Sequence, residues 1–384
     1  MINIFDRFPR MDFSPLPLPQ DLRIEMNKTI GRFRHIGEKE AKPGACVLCG
    51  ADNPSFCNSH TIPQFCLREI AVNGKLRTIN TAIEIDLLRK DEGINSAGTF
   101  RMICRECDSK FFSDYENPDR FNAHSPLGND LLGKIAVKVL LLEQYKARMQ
   151  MAFLSTAFAE LGMDIQASNT IEVRSQDQVD FARQLEHSLL CAQNKGDGYR
   201  VLLDIGLQYT VPLAFQGQIT LAADFEGNLI NDVLNYSDEY RIEPLYVCIF
   251  PFQCSSRVLV FCRDASYARY SKFHRRLRAL CQGDALQAVL KMIVGYSEEV
   301  YFSPLLPESI FVDKGFAELS RLSNMRLASE GEVGARQRKR LCSEYALDSM
   351  PKLPKLLHRE YSMQKLRDED AESIDGQRSN SVCQ

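Results

Sequence analysis

Two short stretches decide the fold of this chain: CVLCG at 46–50 and CRECDSKFFSDYE at 104–116, with SHTIP at 59–63 between them. Each Cys-x-x-Cys pair offers two thiolates to a soft divalent metal, and two pairs complete a closed tetrahedral site. We therefore predict a structural zinc ion, bound by Cys46, Cys49, Cys104 and Cys107. Such a site also fixes the position of His60, which lies between the two pairs.

Local features of both pairs agree with metal binding. Gly50 follows the second cysteine of the first pair, and a glycine there permits the tight turn that points backbone amides at thiolates. The second pair precedes a stretch of helical character, and the positive end of a helix stabilises thiolates. Cys57 and Cys66 are alternative ligands, but their irregular spacing favours a packing role.

Composition sets the class of the protein. The chain has 384 residues, of which 45% are hydrophobic and 25% charged, with a net charge of -3. Those values are ordinary for a globular protein, and they do not indicate non-specific nucleic-acid binding. The 13 cysteines and a charged, proline-containing start without an apolar signal segment predict a reduced, cytoplasmic protein. The longest apolar run, near 131–142, is interrupted by Lys134 and Lys138 and is too short to span a bilayer, so we expect no membrane contact.

The patterns along the chain predict an α+β fold in four regions. An extended N-terminal arm with one short helix occupies 1–43, and a zinc-binding module, called here the cysteine module, occupies 44–125. A larger helical and antiparallel-sheet domain of unknown role follows at 126–326. The polar, serine-rich remainder at 327–384 has the composition of a flexible tail.

Within the third region, the hydrophobic period changes along the chain. Apolar residues three and four apart predict a helix over 126–162, and a second helix is expected near 178–193. Short β-rich runs then predict strands. They lie at 199–206, 209–215, 218–225, 245–252 and 256–264, and helices are expected at 265–281 and 285–294.

The cysteine module resembles the HNH endonucleases, the ββα-metal nucleases built on a zinc-bound treble-clef frame. The resemblance rests on CVLCG, SHTIP and CRECDSKFFSDYE and covers about 44–125 only. It implies hydrolysis of phosphodiester bonds in DNA or RNA, with His60 as the general base. It also implies one Mg²⁺ or similar divalent cation beside that histidine.

The chain departs from the family pattern at the expected cation ligands. Ser59 precedes the histidine where the family often has an acidic residue, and the closing helix lacks a second histidine. Glu116 is the first choice for the missing ligand, and Asp114 is the second. Further candidates are Asp108 and His124 as acidic or imidazole ligands, and Asn80 or Asn95 as the residue that orients the histidine.

Two functional hypotheses other than a nuclease remain open. The module is either a catalytically inactive zinc-finger-like unit that binds nucleic acid or protein, or a purely structural zinc clip. The basic segment HRRLR at 274–278 could line a phosphate path, but such runs are more often solvated helix faces.

Overall fold

The computed structural model describes residues 20–79, 88–122, 125, 127–161, 165–233, 235, 237, 239–297, 299–320 and 335–381. Within these ranges the chain is a mixed structure of helices and antiparallel sheet, as the α+β prediction expects. The two large elements that position the cysteine module are a seven-stranded sheet and a long helix.

The strands form one small and one large sheet. The small sheet pairs β1 (Ser59–His60) with β4 (Thr99–Phe100) in antiparallel fashion. The large sheet has the strand order β3-β2-β9-β6-β7-β8-β5, and all its neighbouring strands are antiparallel. Its strands are β2 (Lys75–Ile79), β3 (Leu88–Gly93), β5 (Tyr199–Leu207), β6 (Leu213–Ile219), β7 (Leu245–Phe252), β8 (Ser255–Arg263) and β9 (Val300–Phe302).

The α-helices of the described residues, in chain order, are α1 (Gln20–Glu40), α2 (Gln64–Ile70), α3 (Arg105–Phe111), α4 (Asn129–Leu161), α5 (Ile165–Ala192), α6 (Tyr267–Ala279), α7 (Gln282–Tyr296), α8 (Lys314–Ser320), α9 (Ala335–Glu344) and α10 (Met363–Ser381). The predicted helix at 126–162 is α4. The second predicted helix is α5, which begins earlier than expected.

The predicted strands agree with the structure best in the neighbouring strands β7 and β8, whose residues are almost all buried. Strands β7 and β8 match the β-rich runs at 245–252 and 256–264, because their side chains are buried on both faces of the sheet. The predicted strand at 218–225 is wrong beyond Ile219. There the Asp224 carboxylate accepts hydrogen bonds from the backbone N–H groups of Glu226 and Asn228 and closes a turn.

The cysteine module packs against one face of the large sheet. Phe250 of β7 contacts Phe121 with ring centroids 5.0 Å apart, and the next residue but one, Phe252, stacks on Phe65 at 5.8 Å. Successive side chains of a strand point to opposite faces, so these two phenylalanines share a face. On the other face, Arg200 of β5 lies over the ring of Tyr267 in α6. The sheet therefore separates α6 from the cysteine module.

The hydrophobic core is continuous across the predicted limit at 125/126. Strands β2 and β3 come from the 44–125 range, and they extend a sheet whose other strands come from 126–326. One cluster of buried side chains contains Phe100 and Tyr115 together with Val247 and Val289. The two ranges thus share their largest sheet and their core.

Both ends of the described chain contain more secondary structure and more buried side chains than their composition predicts. Residues 1–19 of the predicted arm lie outside the described residues; from residue 20 on, the chain forms α1, a 21-residue helix whose Phe33 contacts Phe153 of α4 edge-to-face at 5.7 Å. Instead of a flexible tail, the described part of 327–384 buries apolar side chains in the core, including Leu347, Leu356 and Met363. These residues are sparse among polar ones, so average composition hides them. Among the described residues, no helix is both long and apolar enough to cross a membrane.

Candidate functional site

The four predicted zinc ligands come together. The sulfur atoms of Cys46, Cys49, Cys104 and Cys107 all lie within 4.8 Å of one another, and those of Cys49 and Cys104 are 3.9 Å apart. Tetrahedral coordination with Zn–S bonds of about 2.3 Å places sulfur ligands about 3.8 Å apart. The cluster therefore has the donor type and the spacing of a four-thiolate zinc site and could hold such an ion.

Local structure explains how both pairs reach this geometry. Gly50 adopts a positive φ of 70°, and its N–H donates to the carbonyl oxygen of Cys46 at 2.8 Å, which closes the turn of the first pair. Helix α3 begins directly after Cys104, whose sulfur accepts a hydrogen bond from the N–H of Cys107 at 3.4 Å. The N–H of Cys104 in turn donates to the sulfur of Cys46 at 3.3 Å and joins the two pairs.

The thiols of the cluster differ in pKa. Burial raises the pKa of Cys46, but hydrogen bonds from the backbone of Cys104 and of the first turn outweigh it and lower that pKa to about 7. Burial and the neighbouring thiols raise the pKa of Cys107. A divalent cation bound at the centre would favour the deprotonated form of all four thiols, because its positive charge stabilises every thiolate.

The other two cysteines of the module lie outside the cluster. The Cys57 sulfur donates to the carbonyl oxygen of Ile103 at 3.4 Å, and burial raises the Cys57 pKa to about 11. Cys66 is fully buried in the core. Both act as packing residues, in agreement with their irregular spacing.

His60 ends the first strand of the small sheet. It pairs with Thr99 of β4, and its Nε2 lies 2.9 Å from the carbonyl oxygen of Ile94. A carbonyl oxygen can only accept, so Nε2 carries the hydrogen and Nδ1 is the acceptor nitrogen of the neutral ring, with no hydrogen-bond partner among the described residues. Burial lowers the pKa of His60 below its usual value, with a further contribution from the charge of Lys138. The imidazole is thus neutral near pH 7.

A buried lysine contacts Ser59, the residue before His60. Lys138 of α4 donates from Nζ to Ser59 Oγ at 2.6 Å and to Asp108 Oδ1 at 2.9 Å. Ser59 Oγ donates to the same Asp108 oxygen at 2.6 Å, so the three groups form a closed triangle. Burial raises the pKa of Asp108, but the charge of Lys138 and these hydrogen bonds outweigh it and lower that pKa.

Glu116 shares the electrostatic environment of His60. The pKa of both groups depends on the charges of the same three side chains, Lys138, Asp108 and Arg68. Glu116 Oε2 accepts a hydrogen bond from the backbone N–H of Gln64 at 2.9 Å, and burial raises the pKa of this carboxyl group.

Asn95 lies next to the residue that orients His60. Its side-chain oxygen accepts from Gln64 Nε2 at 3.0 Å, and its carbonyl oxygen accepts from Asn58 at 2.8 Å. The group that holds the His60 ring is therefore the backbone carbonyl of Ile94 rather than Asn95 itself.

The second choice for a cation ligand, Asp114, is already paired with two cations. Both oxygens of Asp114 are bound by cations, one by Lys134 at 2.5 Å and one by Arg120 at 3.2 Å, which makes Asp114 a poor ligand for a further cation. His124 and Asn80 lie outside the described residues. The basic face of α6, with Lys272, Arg275 and Arg278 exposed, is on the opposite side of the large sheet.

Lys138 is not among the site residues predicted from the sequence, in which it only interrupts the apolar run near 131–142. A lysine inside such a run is itself a signal, because a buried ammonium group requires an acidic partner. The sequence does not reveal which acid that partner is.

No family model matches this chain, and neither the curated proteins nor the solved structures contain a match to it.

Proposed function

We propose that the protein is an HNH-like, metal-dependent endonuclease that hydrolyses phosphodiester bonds of nucleic acid. In this proposal zinc bound to the four cysteines holds a treble-clef frame, and His60 is the general base. The large sheet and α4 would support that frame from behind. The observation that carries the proposal is the state of His60: a neutral imidazole, held through Nε2, with Nδ1 available to accept a proton.

Hydrolysis near neutral pH needs a base that removes a proton from water, and a neutral imidazole suits that task. The hydrogen bond to the Ile94 carbonyl fixes both the tautomer and the direction of the ring. A second anchor follows in the chain, where Gln216 of β6 donates from Nε2 to the carbonyl oxygen of Thr61 at 2.8 Å. His60 is therefore held from the ring and from the backbone that follows it.

The catalytic cation of this proposal would be held by Glu116. Among the acidic candidates, Asp108 and Asp114 are paired with lysine or arginine, whereas within the described part of the chain Glu116 accepts a single backbone hydrogen bond. Mg²⁺ commonly takes one or two carboxylates, with water and substrate phosphate as the other ligands, so a single carboxylate fits. The chemistry that such a cation supplies is neutralisation of the scissile phosphate and of the leaving oxygen. Arg68, exposed beside His60 and Glu116, would attract the phosphate.

The test compares cleavage of plasmid DNA and of RNA by the wild type and by His60→Ala, with Mg²⁺ or Mn²⁺. We expect metal-dependent cleavage to fall by about 10²- to 10⁴-fold in His60→Ala, the usual loss of a general base. His187→Ala is the matched control, because burial also lowers the pKa of His187, which lies in α5 beside Cys191. Equal cleavage by wild type and His60→Ala would contradict the proposal.

A second candidate function is a catalytically inactive zinc module that binds nucleic acid or protein. The pairing of Asp108 and Asp114 with cations favours it, because it leaves one carboxylate near His60 among the described acidic candidates. In this case the wild type does not cleave, and binding separates the possibilities. Affinity for nucleic acid would fall steeply with salt through counterion release, whereas a structural zinc clip would show no such binding.

A further inference from the structure

We propose that Lys138 is the positioning residue for His60: its buried ammonium group fastens the strand that carries His60 to the helix that carries the last zinc ligand. Its catalytic consequence rests on the proposed function of His60, but the positioning itself does not. Lys138 lies in α4, outside the part of the chain that resembles a nuclease.

The contacts that carry this proposal form one small cluster. Lys138 Nζ reaches Ser59 Oγ at 2.6 Å and Asp108 Oδ1 at 2.9 Å, and Ser59 Oγ closes the triangle to Asp108 at 2.6 Å. Three aromatic rings surround the ammonium group, with Nζ at 4.1 Å from the centroid of Phe112, 5.3 Å from Tyr115 and 5.8 Å from Phe100. The lysine therefore has its hydrogen-bonding groups on one side and cation–π contacts on the other.

The place of each partner in the chain gives the cluster its function. Ser59 is the residue before His60 and is buried, with 1% of its surface exposed. Asp108 directly follows Cys107. A continuous set of contacts thus runs from the zinc site through Asp108 and Lys138 to the strand of His60. Since the backbone of His60 is continuous with Ser59, a shift of this triangle moves the imidazole.

The burial of Lys138 indicates positioning rather than direct chemistry. Only 4% of its side chain is exposed, so it cannot contact a substrate. Burying a charge is unfavourable even when it is paired, and an apolar residue would fill the same space at lower cost. What an apolar residue cannot do is fix two polar partners from two different elements in one geometry.

The experiment compares three variants. Ser59→Ala removes the link to the His60 strand but leaves the Lys138–Asp108 pair. Lys138→Met removes the charge and keeps much of the volume. Lys134→Met is the matched control, since Lys134 is one turn earlier in α4 and pairs with Asp114 in the same module but does not touch the triangle. All three are expected to retain zinc, measured by elemental analysis.

Two readouts are needed. We expect kcat to fall about 10- to 100-fold in Ser59→Ala and Lys138→Met, with KM little changed, because a misplacement of about 1 Å can cost 10²-fold. Lys134→Met should keep the wild-type rate. In a ¹H–¹³C NMR titration, the imidazole resonance of His60 should move in Ser59→Ala and Lys138→Met. In Lys138→Met its pKa should rise, since a nearby positive charge has been removed.

The outcomes separate this proposal from the nuclease assignment. If the wild type does not cleave nucleic acid, the assignment fails, and the His60 resonance alone decides the positioning role. If Lys138→Met loses zinc or unfolds, Ser59→Ala decides. An unchanged His60 resonance in Ser59→Ala, together with a wild-type rate wherever cleavage is measurable, would overturn the role of Lys138.

Discussion

Substitution of one predicted zinc ligand, Cys107→Ser, should prevent metal binding and unfold the cysteine module. The four sulfur atoms lie within 4.8 Å of one another, and the 3.9 Å between those of Cys49 and Cys104 is close to the about 3.8 Å expected around zinc. Structural zinc then contributes up to about 10–16 kcal/mol of binding free energy to folding. A typical domain has a free energy of unfolding of about 5–15 kcal/mol. The binding free energy lost with the ion is therefore as large as the whole folding stability expected of the module.

The assay is the zinc content after dialysis against a chelator, followed by thermal unfolding. The wild type should retain one zinc per chain, and Cys107→Ser should retain almost none and melt at a lower temperature in a broader transition. Cys57→Ser is the control, because Cys57 is near the cluster but its sulfur bonds to a backbone carbonyl, which a hydroxyl can also do. Full retention of zinc by Cys107→Ser, or equal loss by Cys57→Ser, would refute the reasoning.

Three further predictions test the site and its support. Cleavage should decline as pH falls through the pKa of His60, because the proposed general base must be neutral. Since burial lowers that pKa, activity should persist to a lower pH than a free imidazole would allow. A pH–rate profile measures this. Phe121→Ala should lose about 3–5 kcal/mol in urea unfolding, because Phe121 is 1% exposed and its ring contacts Phe250 of the sheet; a loss below 1 kcal/mol would mean that module and sheet do not share a core. Arg257→Met should cost about 3 kcal/mol, at the low end for a buried pair because Asp204 is about one-third exposed, and a variant as stable as wild type in the same assay would contradict this.

Much of the fold could be predicted because its signals are local. Strand β7 is an unbroken apolar run, β8 has an apolar centre at Val258–Cys262, and α4 shows apolar residues at helical spacing over most of its length. The burial of apolar residues in the predicted tail has a tertiary cause. The polar range after 327 contains scattered apolar residues such as Leu356, whose burial depends on a surface that distant parts of the chain supply.

The candidate site divides in the same way. The role of the cysteines follows from their spacing, and their sulfur atoms meet as that spacing predicts. The choice between Glu116 and Asp114 does not follow from the sequence, because both lie in the same short acidic stretch. The structure separates them through their partners, since Asp114 binds Lys134 and Arg120 whereas Glu116 accepts from the backbone of Gln64.

By itself, the sequence determined which side chains can bind a metal and where most helices and strands of the sheet domain lie. Those properties depend on spacings of two to four residues, which are fixed by the covalent chain. Only the tertiary structure decided which charges meet. Lys138 reaches Ser59 across 79 positions of sequence, and its ammonium group is buried there because α4 packs against the cysteine module. Electrostatic pairing depends on distance through space, and that distance exists only once the chain has folded.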